Sequence, residues 1–308
     1  MVETLAVANE TIVRKTKVLI LGASGMLGVA VFRAFLLSPH FEVVATIRNS
    51  TLLRFFSATE ASFLLTDIDV LDNDRVISLL NSERPDIVIN CIGLIKQFAS
   101  ASDPLIALPI NALFPHRLAR LCDLLKARLI HISTDCVFSG SAGNYTERDV
   151  TDAQDLYGRS KLLGEVVEYE NAITLRTSIV GRELYTTHSL VDWFLSQEDV
   201  APGYSKAIFS GLPSSELAAI IRDVVVPHKE LAGLYHVSAA PICKLDLLHL
   251  IARQYGKDIK IVEDDRVVID RSLNSSKFTR STGYHAPDWT ELIRRMYESD
   301  FRRTIQNV

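Results

Sequence analysis

The sequence predicts an α/β chain built on a doubly wound parallel sheet, with a smaller, intertwined C-terminal substrate domain. Three observations carry that reading. Short, near-continuous apolar runs alternate with helical stretches, the pattern of a parallel sheet covered on both faces. The first run, Lys17-Val18-Leu19-Ile20-Leu21, leads directly into the glycine turn Gly22-Ala23-Ser24-Gly25-Met26-Leu27-Gly28, followed by an apolar helix from Val29 to Leu37. Gly22 to Gly28, Arg48, Asp69, Gly93 and Thr134 all fall at the carboxyl ends of predicted strands. Doubly wound sheets bind their ligands there.

In chain order, the glycine turn comes first. Its spacing is G-x-x-G-x-x-G, and its glycines permit a tight turn and close approach of a pyrophosphate to a helix N-terminus. Gly22, Ser24, Gly25, Met26, Leu27 and Gly28 are therefore candidate cofactor contacts, with an unliganded glycine turn as the rival reading. The second strand, Phe41 to Ile47, ends at Arg48, and no acid follows until Glu60. NAD enzymes usually place an acid about 20 residues past the glycines, whereas an arginine suits a 2′-phosphate. This points to NADPH, with NADH the alternative and an ordinary exposed arginine the rival for Arg48. Phe63 to Thr66 reads as a third strand. Asp69 beyond it either accepts from an adenine amino group or caps a helix from Asn73 to Leu80. Pro85 to Cys91 is a fourth strand, ending at Cys91-Ile92-Gly93 where a cofactor should pass. A long helix carrying Asn111, expected to break at Pro109 and Pro115, leads to a fifth strand, Leu129 to Ile132.

Then comes Asp155-Leu156-Tyr157-Gly158-Arg159-Ser160-Lys161. On a helix, Tyr157 and Lys161 share one face. An ammonium near a phenol favours phenolate and lowers a pKa ordinarily about 10, which suits proton donation. Thr134, at the end of the fifth strand, offers a hydroxyl to the oxygen receiving that proton. Tyr-x-x-x-Lys alone also occurs on solvated helices, so its weight comes from its company. The helix is expected to run through Glu165 to about Tyr169, before a sixth strand, Ala172 to Arg176. Val180-Gly181-Arg182, Tyr185 to Ser189 and the loop Gln197 to Ser210 read as substrate-side insertions. A helix from Leu217 to Val226 capped by Ser214, a late strand from Gly233 to Val237, and helices from Lys244 to Tyr255 and from Trp289 to Tyr297 complete the chain. The expected division is 15–180 with 211–240 for the dinucleotide, and 181–210 with 241–308 for the substrate. Asp135 is either a substrate contact or a local turn partner. Arg176 and Arg182 either meet a diphosphate or form surface ion pairs, and His131 and His236 read as structural.

Composition narrows the classes. Of 308 residues 48% are apolar and 23% charged, as in ordinary soluble domains, and a net charge of −4 argues against nucleic-acid binding. No apolar run would span a bilayer, and residues 1 to 14 lack a secretory signal and read as a short extension, so a cytoplasmic protein is expected. Cys91, Cys122, Cys136 and Cys243 show neither metal nor disulfide spacing. Reduced core thiols are the plain reading, a nucleophilic Cys136 the rival. No metal site is expected.

The glycine turn, Ile132-Ser133-Thr134-Asp135-Cys136-Val137-Phe138 and Tyr157-Gly158-Arg159-Ser160-Lys161 together resemble the extended short-chain dehydrogenase/reductases, most of all the dTDP-4-dehydrorhamnose reductase group. Leu175-Arg176-Thr177-Ser178, Gly211-Leu212-Pro213-Ser214, Gly233 to Ser238, Arg271 to Phe278 and Pro287-Asp288-Trp289 match in the same order. The resemblance implies a Rossmann-type domain, NAD(P)H reduction of the 4-keto group of an NDP-4-dehydro-6-deoxyhexose, and a nucleotide-sugar substrate. It maps the catalytic hydroxyl, phenol and ammonium onto Thr134, Tyr157 and Lys161, with Lys161 also bonding the nicotinamide ribose, and it allows a homodimer. Cys136 stands where the family often has Tyr, Asn90 to Gln97 replaces an alanine-rich run, and Arg271-Ser272 replaces Arg-Pro. These departures leave the sugar open, a UDP-linked N-acetylated sugar included. The fold group also contains a non-catalytic regulatory subunit of methionine adenosyltransferase.

Overall fold

A computed structural model describes residues 14–96 and 99–306. The expected N-terminal extension, but for Arg14, and Gln97 of the departing run lie outside them. Seven strands, β1 (Thr16–Leu21), β2 (Phe41–Thr46), β3 (Leu64–Leu65), β4 (Ile87–Asn90), β5 (Arg128–Thr134), β6 (Ala172–Thr177) and β7 (Gly233–His236), form one parallel sheet. Their order is β7-β6-β5-β4-β1-β2-β3, so it reverses at β1 and opens a crevice at the strands' carboxyl ends. Alternation along β1 shows why both faces are covered. Val18 and Ile20 join one apolar cluster, Leu19 and Leu21 the other. The first cluster takes in α1 (Met26–Leu36), the second α2 (Asn73–Glu83) and α3 (Phe114–Leu125). The doubly wound α/β fold read from the sequence is the one observed.

Several local expectations are corrected. The third strand keeps only two ladder residues. The long helix is not broken at its prolines: Pro104–Ala107 continues through a wide π-helical stretch, Leu108–Leu113, into α3. Pro104 opens the first turn, where a missing N–H costs least, and Pro109 and Pro115 sit where the ladder widens into and closes from the π-helical stretch. The helix α4 (Leu156–Leu163) ends well before Tyr169. A Cβ on Gly164 would lie 1.9 Å from the Asn111 carbonyl oxygen, so the chain needs glycine there and turns away. Asp72, rather than Asp69, caps α2 by accepting from Arg75 N at 3.0 Å, and Asp69 closes its own turn on Leu71 N. Ser214 is the first residue of α6 (Ser214–Ile220), not its cap.

The expected loop from Gln197 to Ser210 holds two strands. Val200–Tyr204 pairs in parallel with Lys260–Asp264, and Ala207–Phe209 lies between Ile242–Cys243 and Ile269–Asp270. Helices α5 (Leu190–Ser196), α7 (Lys244–Tyr255) and α8 (Trp289–Gln306) complete this layer. Leu217, Leu247, Trp289 and Leu292 belong to the same cluster as Val18 and Ile20. The C-terminal layer thus shares its core with the sheet. No helix among the described residues is long and apolar enough to cross a membrane.

Candidate active site

The crevice begins at the β1–α1 turn. Gly22 N bonds Thr46 Oγ1 at 3.3 Å, Ala23 N bonds the Thr46 carbonyl at 2.9 Å, and Gly25 N returns to the Gly22 carbonyl at 3.1 Å. Gly22 has φ +84°, and a Cβ on Gly28 would sit 2.0 Å from the Gly22 carbonyl oxygen, so both positions demand glycine. The N-terminus of α1 has no side-chain cap and no acid in its first turn. Its free N–H groups and dipole therefore fit the diphosphate of a dinucleotide. Ser24, Met26 and Leu27 lie on the same turn. Across from it, Ile92 approaches Gly22, with Ile92 Cγ1 2.8 Å from where a Gly22 Cβ would be. Cys91 N bonds the Leu21 carbonyl, and burial pushes the Cys91 thiol up to about 12. Arg48 projects, exposed, past the end of β2. Asp69 is also exposed.

The chemistry gathers where β5 meets α4. Asp155 caps α4 by accepting from Gly158 N at 2.8 Å, and Lys96 holds that carboxylate from the loop after β4 at 2.6 Å. The Tyr157 hydroxyl lies near Thr134, close enough for the Thr134 hydroxyl to favour a phenolate. Thr134 Oγ1 donates to Asp135 Oδ1 at 3.1 Å and accepts from Cys136 N at 3.1 Å. Lys161, 5% exposed, donates from Nζ to the Ile132 carbonyl at 2.7 Å. A Cβ on Gly93 would lie 3.7 Å from that Nζ, which brings Gly93 and Lys161 together. Asn111, 1% exposed in the π-helical stretch, accepts from Leu94 N and donates to the Leu94 carbonyl and Ser160 Oγ. The loop after β4 is thereby fixed over α4.

The electrostatics differ from the expectation. Burial raises the Tyr157 pKa, Cys136 and Asp135 add to that, and only the nearby Thr134 hydroxyl opposes it. Lys161 does not pull the phenol down, because desolvation outweighs a cation whose ammonium is tied to the Ile132 carbonyl. The phenol therefore holds its proton at neutral pH. Burial also lowers Lys161 to about 8, with the Glu165 carboxylate favouring its charge. Asp135 is raised by burial while Arg271 and hydrogen bonds from Thr134, Cys136 and Ser178 oppose the shift. Cys136 is pushed up to about 12, first by burial and then by Asp135, so it is no thiolate nucleophile.

Two arginines move. Arg176, read as a diphosphate or surface residue, is buried against Glu165 with Nε–Oε1 and Nη2–Oε2 distances of 2.7 Å. Arg182 Nε is held by Asp192 Oδ1 at 2.8 Å, and its main electrostatic partners are Asp192, Asp300 and Tyr255. Its guanidinium is otherwise half exposed. Beside Thr134 and Asp135 stand Arg271, with Nη1 3.7 Å from Cys136 Sγ, and Lys244, whose charge senses Asp135, Cys136 and Arg271. The only sequence signal for Arg271 was its place in the closing motif, and none pointed to Lys244. His236 is satisfied as expected, whereas His131 bonds Asn90 through Nδ1 and leaves Nε2 without a partner among the described residues. No cluster of metal-ligating side chains occurs among them.

A dinucleotide turn facing a Tyr-x-x-x-Lys helix across a parallel sheet, with a shared C-terminal layer, defines an extended short-chain dehydrogenase/reductase. The chain belongs to the RmlD substrate binding domain family, which matches residues 16–301. It is 29% identical over 273 residues to the probable low-salt glycan biosynthesis reductase Agl14 of Haloferax volcanii, over 84% of this chain and 87% of that protein. It is 30% identical over 201 residues to dTDP-4-dehydrorhamnose reductase of Mycobacterium tuberculosis, over 63% of this chain and 58% of the relative. Identity to methionine adenosyltransferase 2 subunit beta of Rattus norvegicus is 30% over 181 residues, 58% of this chain and 51% of that protein. The chain thus spans little more than half the length of these two. A solved structure of dTDP-4-dehydrorhamnose reductase from Bacillus anthracis in complex with NADP matches its fold with a TM-score of 0.75 at 20% identity, covering 93% of this chain and 99% of the other.

Proposed function

We propose that this protein is an NADPH-dependent reductase of the 4-keto group of an NDP-4-dehydro-6-deoxyhexose, most like dTDP-4-dehydrorhamnose reductase, supplying a precursor of surface polysaccharide in the cytoplasm. The observation that carries the reading is Tyr157 brought beside Thr134 at the end of β5, with Lys161 tethered to the Ile132 carbonyl next to them. NADPH would lie along Gly22–Gly28, Arg48, Asp69 and Cys91–Gly93 and supplies the hydride. Tyr157 gives its retained proton to the developing alkoxide as general acid. Thr134 turns its hydroxyl from Asp135 to the ketone oxygen, stabilising charge where it appears. Lys161 holds the nicotinamide ribose and offsets the phenolate left behind. Asp135, Lys244 and Arg271 face the sugar nucleotide; the segments 181–210 and 241–308 form its side of the crevice. Arg182, anchored by Asp192, offers its remaining guanidinium nitrogens to the diphosphate.

NADPH oxidation followed by absorbance, with dTDP-4-dehydrorhamnose and with a UDP-linked N-acetylated 4-keto-6-deoxy sugar, tests the activity and separates the two sugar classes. The similarity to the methionine adenosyltransferase subunit favours a second reading, a non-catalytic NADP-binding regulatory subunit. Tight NADPH binding without turnover of any such sugar would decide for it. Replacing Arg48 by Ala is expected to weaken NADPH binding about tenfold or more while leaving NADH unchanged, the lower range for a hydrogen bond to a charged group. Equal losses would remove Arg48 as the phosphate reader. Leu105, Leu113 and Leu163 are exposed on the paired helical segments beside the site and support a homodimer. Light scattering of a Leu105→Lys, Leu163→Lys variant tests it, with dissociation expected.

The rate should also fall as pH rises through about 8, where Lys161 loses its proton. The sign distinguishes this from unfolding. The unfolded chain keeps this lysine protonated up to its ordinary 10.5, so between about 8 and 10.5 the unfolded state binds more protons and this group's contribution to stability rises with pH. Parallel thermal-melt and rate measurements across pH 7–10 check it. A rate that stays level to pH 9.5 would contradict the role given to Lys161.

A further inference from the structure

Two consecutive residues of β5 are held from α4 and its exit. Lys161 Nζ takes the Ile132 carbonyl at 2.7 Å, and Glu165 Oε1 accepts from Ser133 Oγ at 2.7 Å. Thr134 comes next and points its side chain to the opposite face from Ser133. Glu165 reaches β5 only because Gly164 ends the helix and turns the chain. Its carboxylate is then gripped from β6 by Arg176 Nε and Nη2, each at 2.7 Å. Arg176 Nη1 lies 3.4 Å from His236 Nε2, and its guanidinium stacks 5.3 Å from the centre of the Phe138 ring. His236 Nδ1 bonds the Tyr145 carbonyl, and Tyr145 stacks on Phe138 at 4.1 Å. Phe138 and Tyr145 belong to the segment that leaves the site after Thr134, Asp135 and Cys136.

We propose that Glu165, clamped by Arg176, is a positioning residue for the reductase site: it fixes Ser133 beside Thr134 and presents Lys161 with the carboxylate that balances its charge. The inference rests on the reductase reading above. A buried ion pair is poor value as a stabiliser, since an apolar pair of similar volume often does as well. Here both groups are placed instead where each touches a strand end or segment of the site. The charged or titratable groups facing Lys161 are Glu165, Cys91 at the end of β4, and His131 on β5. Burial keeps His131 neutral and Cys91 a thiol, which leaves Glu165 as the anion.

The test uses the full chain with Glu165→Gln and the double variant Glu165→Met, Arg176→Met. The double variant restores a matched apolar pair and is expected to melt within a few degrees of the wild type. Lysine 13Cε NMR, which needs no substrate, should show the Lys161 titration midpoint falling by about half a unit or more in both variants. The alkaline fall in rate should move with it, with the rate at pH 7.5 reduced about tenfold or more and the KM for NADPH little changed. A double variant with wild-type melting, wild-type Lys161 midpoint and wild-type rate would overturn the proposal and leave the pair structural. A wild type that turns over no sugar, but whose Lys161 midpoint still shifts in both variants, would overturn the reductase reading while sparing the link from Glu165 to Lys161.

Discussion

Tyr157→Phe is expected to reduce turnover by about 10²–10⁴-fold, the usual contribution of a positioned general acid, equivalent to ~3–5 kcal/mol of barrier. The substitution removes one oxygen and leaves the ring that packs at the head of α4. NADPH affinity should change little, because Lys161 keeps its own tether to the Ile132 carbonyl. The buried Thr134 hydroxyl keeps its bonds to Asp135 and Cys136 N, so the fold should lose no more than about 1 kcal/mol. The rate loss and the stability loss therefore separate by orders of magnitude. Stopped-flow measurement of NADPH oxidation under single turnover, beside a thermal melt, reads both. A variant within a few-fold of wild type would mean that the alkoxide finds its proton elsewhere, and the catalytic assignment would fail.

The features readable from sequence are those fixed by neighbours in the chain. Val18 to Leu21 is buried on both faces and so reads as an unbroken apolar run, and Gly28 is required by a clash with Gly22 inside the same seven residues. Tyr157 and Lys161 share a helix face by spacing alone. Long-range causes were invisible. The end of α4 is set by the Asn111 carbonyl pressing on Gly164, a contact no local pattern announces. Pro109 and Pro115 looked like breaks because their tolerance depends on a π-helical stretch that Asn111 stabilises by bonding Leu94. Arg176 and Arg182 looked alike in sequence, yet one is buried by Glu165 and the other tethered by Asp192. The direction of the Tyr157 shift was misjudged for the same reason. Spacing locates the cation but says nothing about how much water the fold removes from the phenol.

Arg176→Met should be the most destabilising single change in the sheet. It deletes the guanidinium that pairs with Glu165 where the two side chains are 4% and 6% exposed, and leaves the carboxylate with only the Ser133 hydroxyl. Removing one partner of such a pair costs about 3–5 kcal/mol, because an uncompensated charge stays buried. Chemical denaturation at pH 7 should show a loss of that size. The loss should also shrink in acid, and the sign follows from His236. Burial lowers its pKa from 6.5 to about 4, with Glu147 opposing and the Arg176 charge adding to the shift. Between those values the unfolded chain binds the extra proton, so the wild type loses stability as pH falls from 6.5 toward 4. Without Arg176, His236 takes up its proton more readily beside Glu165, and the stranded carboxylate is itself easier to neutralise. The variant therefore loses less in acid, and the two stability curves should converge between pH 7 and pH 5. A constant gap across that range would mean that His236 does not sense the Arg176 charge, and that packing alone accounts for the damage.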